Sequence, residues 1–143
     1  MKTLFNKSLQ LGNTDLALLF IRVSIALLML THGLPKLAKF FSDEPIVFAS
    51  VFGMSQSFSL ALTVFAEVFC SILILVGLGT RFASIPLIFT MAVAVFYIHS
   101  ADPFSIKEMA VLYLLGFSFV LIAGGGKYSL DSILAKRSIN PAK

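Results

Sequence analysis

The sequence predicts an all-α, integral membrane four-helix bundle, and three observations lead to this class. The chain has 143 residues, of which 58% are hydrophobic and only 13% are charged, whereas soluble chains carry about 25% charged residues. Its mean hydropathy is +0.96, so polar side chains are too few to cover a water-facing surface. Four apolar stretches of about 20 residues, the length that crosses a bilayer, fill most of the chain. One membrane domain fits this length, and two do not.

Span one is predicted over residues 16–34, behind a polar N-terminal segment of residues 1–14. Pro35 and the charged residues after it predict the end of this helix, because proline interrupts helical hydrogen bonding and lipid cannot satisfy exposed peptide groups. Residues 35–56 then form the longest loop. We expect span one to be retained and not cleaved as a signal peptide, because Arg22 interrupts the apolar region and no small-x-small site follows.

The other three spans are bounded by glycine, proline and charged residues. Span two is predicted over residues 58–78 and ends in a glycine-rich turn that contains Arg81. Span three covers residues 82–99, and span four covers residues 105–123, before three consecutive glycines that are typical of a helix end. The predicted domains are the membrane domain, 15–123, and a polar tail, 124–143.

Lysine and arginine counts near the span ends predict the orientation, because cytoplasmic loops carry an excess of these residues. With four spans, both termini and the turn at Arg81 share one side, which we expect to be cytoplasmic. That side holds Lys2, Lys7, Arg81, Lys127, Lys136, Arg137 and Lys143, and the other side holds Lys36, Lys39 and Lys107. The net charge of +4 therefore reflects topology. No nucleic-acid partner is expected, because no basic run is long enough to follow a phosphate backbone and Trp is absent.

Ionisable residues inside the predicted spans are the candidates for a site, because a charge at the centre of a membrane helix costs about 2.5–3.5 kcal/mol on insertion scales. Arg22 and Glu67 lie near the middle of spans one and two, at depths that allow an ion pair. One interpretation is a structural pair that joins the two spans, and the other is a functional site. The full set of intramembrane candidates is Arg22, His32, Glu67, His99 and Glu108.

Three of these candidates come from three different spans and share one layer. His32, His99 and Glu108 lie about 10–13 Å from the midplane on the outer side, at 1.5 Å of rise per residue. If the polar edge of span one faces the bundle, all five candidates line a pocket that opens to the outer side. The alternative is that the histidines are hydrated by lipid headgroups at the interface.

The sequence carries no motif that assigns a catalytic residue, and we expect no metal site. The two histidines and the glutamates lack the H-x-x-E, H-E-x-x-H and E-x-x-H spacings of zinc and iron sites. Cys70 is the only cysteine, which excludes an intrachain disulfide and a Cys-x-x-Cys relay. It is interpreted as a small packing residue.

Several short motifs, in order, resemble the DoxX family of small four-span bacterial membrane proteins. They are Arg22, the run His32-Gly33-Leu34-Pro35-Lys36-Leu37, Glu67 ahead of Leu75-Val76-Gly77-Leu78-Gly79-Thr80-Arg81, and the closing Gly126-Lys127-Tyr128-Ser129-Leu130-Asp131. The resemblance covers roughly residues 15 to 134. It implies a bacterial cytoplasmic (inner) membrane protein, with family-motif positions at Gly33, Lys36, Gly79 and Arg81.

The resemblance also implies a role, which is a membrane subunit or anchor that supports a quinone-linked or oxidative-stress redox process. The implied partners are the lipid bilayer and a soluble or membrane oxidoreductase. Whether the protein forms a homo-oligomer is left open. A quinone, the candidate ligand, would bind inside the bundle with Glu67 or a histidine as proton acceptor. The candidate ring contacts, for which plain packing is the alternative, are Phe65, Phe69, Phe89, Phe96, Tyr97 and Tyr113.

Two other functions remain open, and so does the question of whether the chain is an enzyme. The buried ionisable residues also suit a small transporter or a proton-relay protein. The same residues suit a non-catalytic assembly or structural factor, in which they would hold the bundle together.

Overall fold

The structure is a computed structural model that describes the backbone of residues 6–139 and the side chains of residues 14–136. These residues form helices and no strand. The helices are α1 (Asn6–Phe40), α2 (Gln56–Val76), α3 (Thr80–Ile98), α4 (Phe104–Ala123) and α5 (Leu130–Ile139). The first four contain segments long and apolar enough to cross a membrane, so the predicted all-α, four-span membrane fold is confirmed. The side chains of four basic residues in the charge count lie outside the described residues: Lys2, Lys7, Arg137 and Lys143.

The first helix is longer than the sequence indicated. The predicted end at Leu34 is wrong, because α1 continues through Pro35 to Phe40. Proline removes a single amide donor, and the turn beyond it is held to the bundle by Lys36, which contacts α2. The predicted loop of residues 35–56 is therefore shorter, and regular structure resumes at α2, whose first turn is capped by the Ser55 hydroxyl.

The four long helices form a closed ring in which each packs against two neighbours. Helices α1 and α2, α2 and α3, and α3 and α4 are adjacent in the chain and in space, and α4 closes the ring against α1. Small residues allow close helix approach in membranes, and Ala26, Ala66 and Ala83 are buried in the core. Cys70 is buried there too, as expected for a packing residue.

Two stretches of π-helix interrupt the regular hydrogen bonding. They are Phe65–Cys70 in α2 and Ala94–Ile98 at the end of α3. A π-helical turn carries an extra residue, and such turns are common at functional sites. The first stretch contains Glu67, and the second directly precedes His99.

The turn between α2 and α3 is built around Gly77, which has a φ of +76°. Its amide donates to the carbonyl of Ile74, and the amide of Leu78 donates to the carbonyl of Leu73. This pair of bonds is a Schellman motif, which satisfies the last carbonyls of a helix. A Cβ atom at Gly77 would lie 2.2 Å from Nη1 of Arg22, so the missing side chain also makes room for the arginine.

Arg22 caps the C-terminus of α2 from the neighbouring helix. The side chain is 2% exposed, and Nη1 donates to the carbonyls of Ile74 at 2.8 Å and Leu75 at 3.2 Å. Nη2 donates to the carbonyl of Tyr128 at 2.7 Å. The C-terminus of a helix carries partial negative charge, so the buried cation is stabilised by helix carbonyls. Arg22 therefore joins α1, α2 and the segment before α5.

Asp131 caps the other side of the same turn, at the N-terminus of α3. Its carboxylate accepts hydrogen bonds from the amides of Gly79 at 2.7 Å and Thr80 at 3.0 Å, and from the hydroxyl of Thr80 at 2.9 Å. Burial raises the pKa of the Asp131 carboxyl, but these bonds and the charge of Arg22 outweigh burial and leave the pKa below its ordinary value. We call Arg22, the 77–79 turn and Asp131 the basal junction.

Gly77→Ala should destabilise the protein more than Gly79→Ala. Both residues have positive φ, and an alanine costs about 1–2 kcal/mol in that conformation. Only at Gly77 would the new Cβ meet other atoms, since none lies within 4 Å at Gly79, and overpacking costs about 1–3 kcal/mol more. Melting temperatures of both variants in the same detergent test this expectation, and equal losses would contradict it.

Asp131 should make the stability of the protein depend on pH in the acid range. Because its folded-state pKa is depressed, the stabilisation is present above the ordinary aspartate value of about 3.9 and is lost as the pH falls through the folded value. The wild type should melt at a higher temperature than Asp131→Asn at pH 7, and the gap should narrow below about pH 4. Asp43→Asn, in an exposed loop, is the control. A gap that does not change with pH would show that the charge is unimportant.

Candidate functional site

An ion pair between the buried carboxylate of Glu67 and the part-buried ammonium of Lys36 joins α1 and α2 near the middle of α2, away from the basal junction. The Glu67 side chain is 3% exposed, and Nζ of Lys36 lies 2.5 Å from Oε1 and 2.6 Å from Oε2. Lys36 is 14 residues from Arg22, about 21 Å along α1. The ammonium thus bonds both carboxylate oxygens in a largely apolar environment, where such contacts are strong.

Gly33 brings the two helix backbones together beside this pair. A Cβ atom at Gly33 would lie 2.8 Å from Cγ2 of Val68 and 3.0 Å from Cβ of Glu67. A larger residue would therefore push α1 away from α2 at the level of the carboxylate. The two family-motif positions Gly33 and Lys36 thus serve one purpose, because the first sets the helix spacing and the second neutralises Glu67.

A large apolar cavity of about 510 Å³ lies between α2, α3 and the loop of residues 41–55. The loop contributes Phe48 and Phe52, and Lys36 and Glu67 reach the wall of the cavity. Phe52 has a φ of +50°, and its ring packs against Tyr97 with the centroids 4.9 Å apart. The contact holds the turn of this loop against the end of α3.

A smaller cavity of about 230 Å³ lies on the other side of the ion pair, between α1, α3 and α4. Its wall includes His32 and Tyr113, whose rings meet edge to face with centroids 5.5 Å apart. The two cavities have lining residues in common, so the ion pair stands where they meet. The shared residues are Lys36, Glu67, Met91, Ala94 and His99.

His99 faces both cavities and is oriented by an aspartate in the following turn. Its Nδ1 lies 2.7 Å from Oδ2 of Asp102. A neutral imidazole that donates the Nδ1 proton to this carboxylate keeps the lone pair of Nε2 free. The site therefore combines a charged pair, an oriented imidazole and apolar walls.

The structure brings three of the five intramembrane candidates together and separates the other two. Glu67, His32 and His99 line the smaller cavity, whereas Arg22 belongs to the basal junction. The interpretation of an Arg22–Glu67 ion pair is wrong, because Lys36 takes the carboxylate. Glu108 is exposed just after the first turn of α4 and lines neither cavity.

Most of the remaining residues singled out from the sequence lie either at the basal junction or along the two cavities. Gly79 belongs to the basal junction, and Nη2 of Arg81 donates to the carbonyl of Ile122 at 3.2 Å beside it. Of the six candidate ring contacts, Phe65 and Phe89 line the large cavity and Tyr113 lines the small one. Within the described residues, no three His, Cys, Asp or Glu side chains form a group that could hold a metal ion.

Sequence reasoning missed Asp102, which orients His99, and three methionines in the wall of the smaller cavity. The spacing of three residues between His99 and Asp102 was a local signal for the first. The methionines come from different helices, and only the packing of the bundle reveals that they converge. They are Met29, Met91 and Met109.

Comparisons with known proteins agree with the resemblance. The family model DoxX matches residues 17–100, a stretch that contains Arg22, Lys36, Glu67 and His99. An uncharacterised protein of Haemophilus influenzae is 31% identical over 127 residues, which are 84% of this chain and 92% of that protein. No solved structure matches the chain. The matched stretch includes the buried pair, the π-helical segments and the arginine of the basal junction, and the chain belongs to the DoxX family of membrane proteins.

Proposed function

We propose that this protein binds the head group of a membrane quinone beside the Lys36–Glu67 pair and supports a redox process in the bacterial inner membrane. The observation that carries the proposal is the position of this pair, at the boundary between a large apolar cavity and a smaller one whose wall contains both histidines. A quinone has the matching form, with a polar ring and an apolar chain.

The residues present fit such a ligand. Pockets for small molecules measure about 300–1,000 Å³ and combine apolar walls with a few polar groups, and the large cavity measures about 510 Å³. The chain of the ligand would lie among apolar side chains such as Phe48 and Phe89. The Lys36 ammonium and the His99 imidazole line this cavity, and they would supply the polar contacts to the ring carbonyls.

Glu67 is the group proposed to exchange a proton at this position. It is buried within a π-helical turn, and both of its carboxylate oxygens accept hydrogen bonds from the Lys36 ammonium. A bound quinone would supply two-electron redox chemistry, and we propose that a partner oxidoreductase supplies the electrons. The single cysteine makes a dithiol relay within one chain impossible, which supports a role as membrane subunit or anchor.

Glu67→Gln should weaken the binding of a short-chain ubiquinone or menaquinone analogue by about tenfold or more, because the amide no longer holds the Lys36 ammonium in place with a negative charge. The hydrogen bond that this ammonium would donate to the ring involves a charged group and contributes about 1.5–3 kcal/mol. Binding is measured by fluorescence quenching or calorimetry with the full chain in nanodiscs. Glu108→Gln is the matched control because Glu108 lines neither cavity, and Phe48→Ala tests the large cavity without altering the ion pair.

Mass spectrometry of lipids that co-purify in mild detergent provides a second test. A quinone recovered with the wild type and depleted in Glu67→Gln supports the proposal. Absence of quinone binding by the folded wild type would overturn it. Proton flux in proteoliposomes would then indicate a relay, and unaltered flux combined with loss of bundle stability in the variant would indicate a structural role.

We further propose that both termini lie in the cytoplasm. The basal junction contains the α2–α3 turn and the start of α5, so the Arg81 turn and the C-terminal segment share one side, which also carries the excess of Lys and Arg. Alkaline phosphatase fused to the C-terminus should be inactive, and green fluorescent protein fused there should fluoresce. The reverse pattern would contradict this orientation.

A further inference from the structure

The wall of the smaller cavity concentrates the soft donor groups of the chain. The sequence has five methionines and two histidines, and three of those methionines and both histidines line this single cavity of about 230 Å³. They come from three helices, α1, α3 and α4. The five residues are Met29, His32, Met91, His99 and Met109.

Thioether sulfur and neutral imidazole together are ligands for monovalent copper. Soft sulfur ligands select Cu(I), and imidazole also suits copper, whereas Mg²⁺, Ca²⁺ and Mn²⁺ take carboxylate and carbonyl oxygen. We propose that this cavity is a Cu(I)-binding site formed by Met29, Met91 and Met109 with His32 or His99. The site goes beyond the quinone proposal and does not depend on it.

The burial of the donors indicates an inner and an outer part of this site. Met29 is 1% exposed and Met91 is 6% exposed, so both sulfur-bearing side chains are inside the bundle. Met109 is 55% exposed, and His32 is also exposed, so these two stand at the rim between α1 and α4. A cation can therefore meet the rim residues first and the buried thioethers next.

His99 carries the second contact that metal-bound histidines usually have. A ligating imidazole almost always donates its other N–H to a carboxylate, a carbonyl or water, which fixes the tautomer. The Nδ1 of His99 lies 2.7 Å from Oδ2 of Asp102, which leaves Nε2 as the donor atom toward a metal. Asp102 is thus a positioning residue and not itself a ligand.

The charges around the cavity favour a cation of low charge. Lys36 and Glu67 also line it, and their contacts of 2.5 and 2.6 Å make them a neutral pair. The remaining donors are methionine and histidine, which bind a metal ion as uncharged ligands. Taking a divalent ion out of water costs far more than taking a monovalent ion, so uncharged donors suit Cu(I).

The experiment titrates the full, tag-free chain in detergent with Cu(I) under anaerobic reducing conditions, in competition with a chromogenic Cu(I) chelator. We expect one Cu(I) for each chain. Met29→Leu, Met91→Leu and Met109→Leu should each weaken binding at least tenfold, while keeping the volume of the side chain. Met54→Leu is the matched control, because Met54 lines the large cavity and not this one.

Two further measurements separate a metal site from core packing. Asp102→Asn should lower the affinity for Cu(I) by about 10–100-fold, as loss of an outer-shell partner does, with the melting temperature of the copper-free protein unchanged. X-ray absorption should show sulfur and nitrogen neighbours around copper, with fewer sulfurs in Met109→Leu.

Affinities in the three methionine variants equal to that of Met54→Leu would overturn the proposal, and so would copper with oxygen neighbours only. Quinone binding provides an independent comparison. Met109→Leu, at a residue that lines only the smaller cavity, should leave quinone affinity unchanged. Failure of the copper site is therefore distinguishable from failure of the proposed function.

Discussion

The bundle depends on two opposite charges that cap the two helices meeting at one turn. Arg22 bonds the last carbonyls of α2, and Asp131 bonds the first amides of α3. Each charge has the sign that its helix end attracts, and both come from parts of the chain remote from the turn. This double cap fixes α1, α2, α3 and the C-terminal segment relative to one another. It also satisfies most of the polar groups that a glycine-rich turn would otherwise leave exposed to lipid.

Because Arg22 bonds the carbonyls at this turn, the Glu67 carboxylate near the middle of α2 is paired with another cation. The added turns of α1 beyond Pro35 supply it, since they carry Lys36 to the carboxylate while Gly33 keeps the helices in contact. The two cations of α1, the buried Arg22 and the part-buried Lys36, thus have separate roles about 21 Å apart along the helix. Arg22 bonds backbone carbonyls at the end of α2, and Lys36 bonds the side-chain carboxylate of Glu67.

Much of the fold could be predicted from the sequence, because the cost of exposing peptide groups to lipid leaves few options for four long apolar stretches. The site was harder. Depth along each span placed His32, His99 and Glu108 in one layer and Glu67 beside Arg22, whereas the structure groups Glu67 with the two histidines and leaves Glu108 outside both cavities. Depth alone could not show that Arg22 would bind backbone carbonyls. Pro35 predicted the end of the first helix, but α1 continues to Phe40. The prediction failed because the effect of a proline on a helix depends on tertiary contacts that the sequence does not show. The π-helical turns and the convergence of three methionines have no local sequence pattern, and they arise from packing.

The energetics of the two buried groups indicate where function resides. Replacing a buried ion pair by apolar residues of similar size is often neutral or stabilising, so a folding role alone does not require Lys36 and Glu67. Arg22 differs, because it satisfies carbonyls at a helix end, which apolar side chains cannot do. The position of the pair between an apolar cavity and one lined by soft donors therefore supports the proposal that a molecule binds against it.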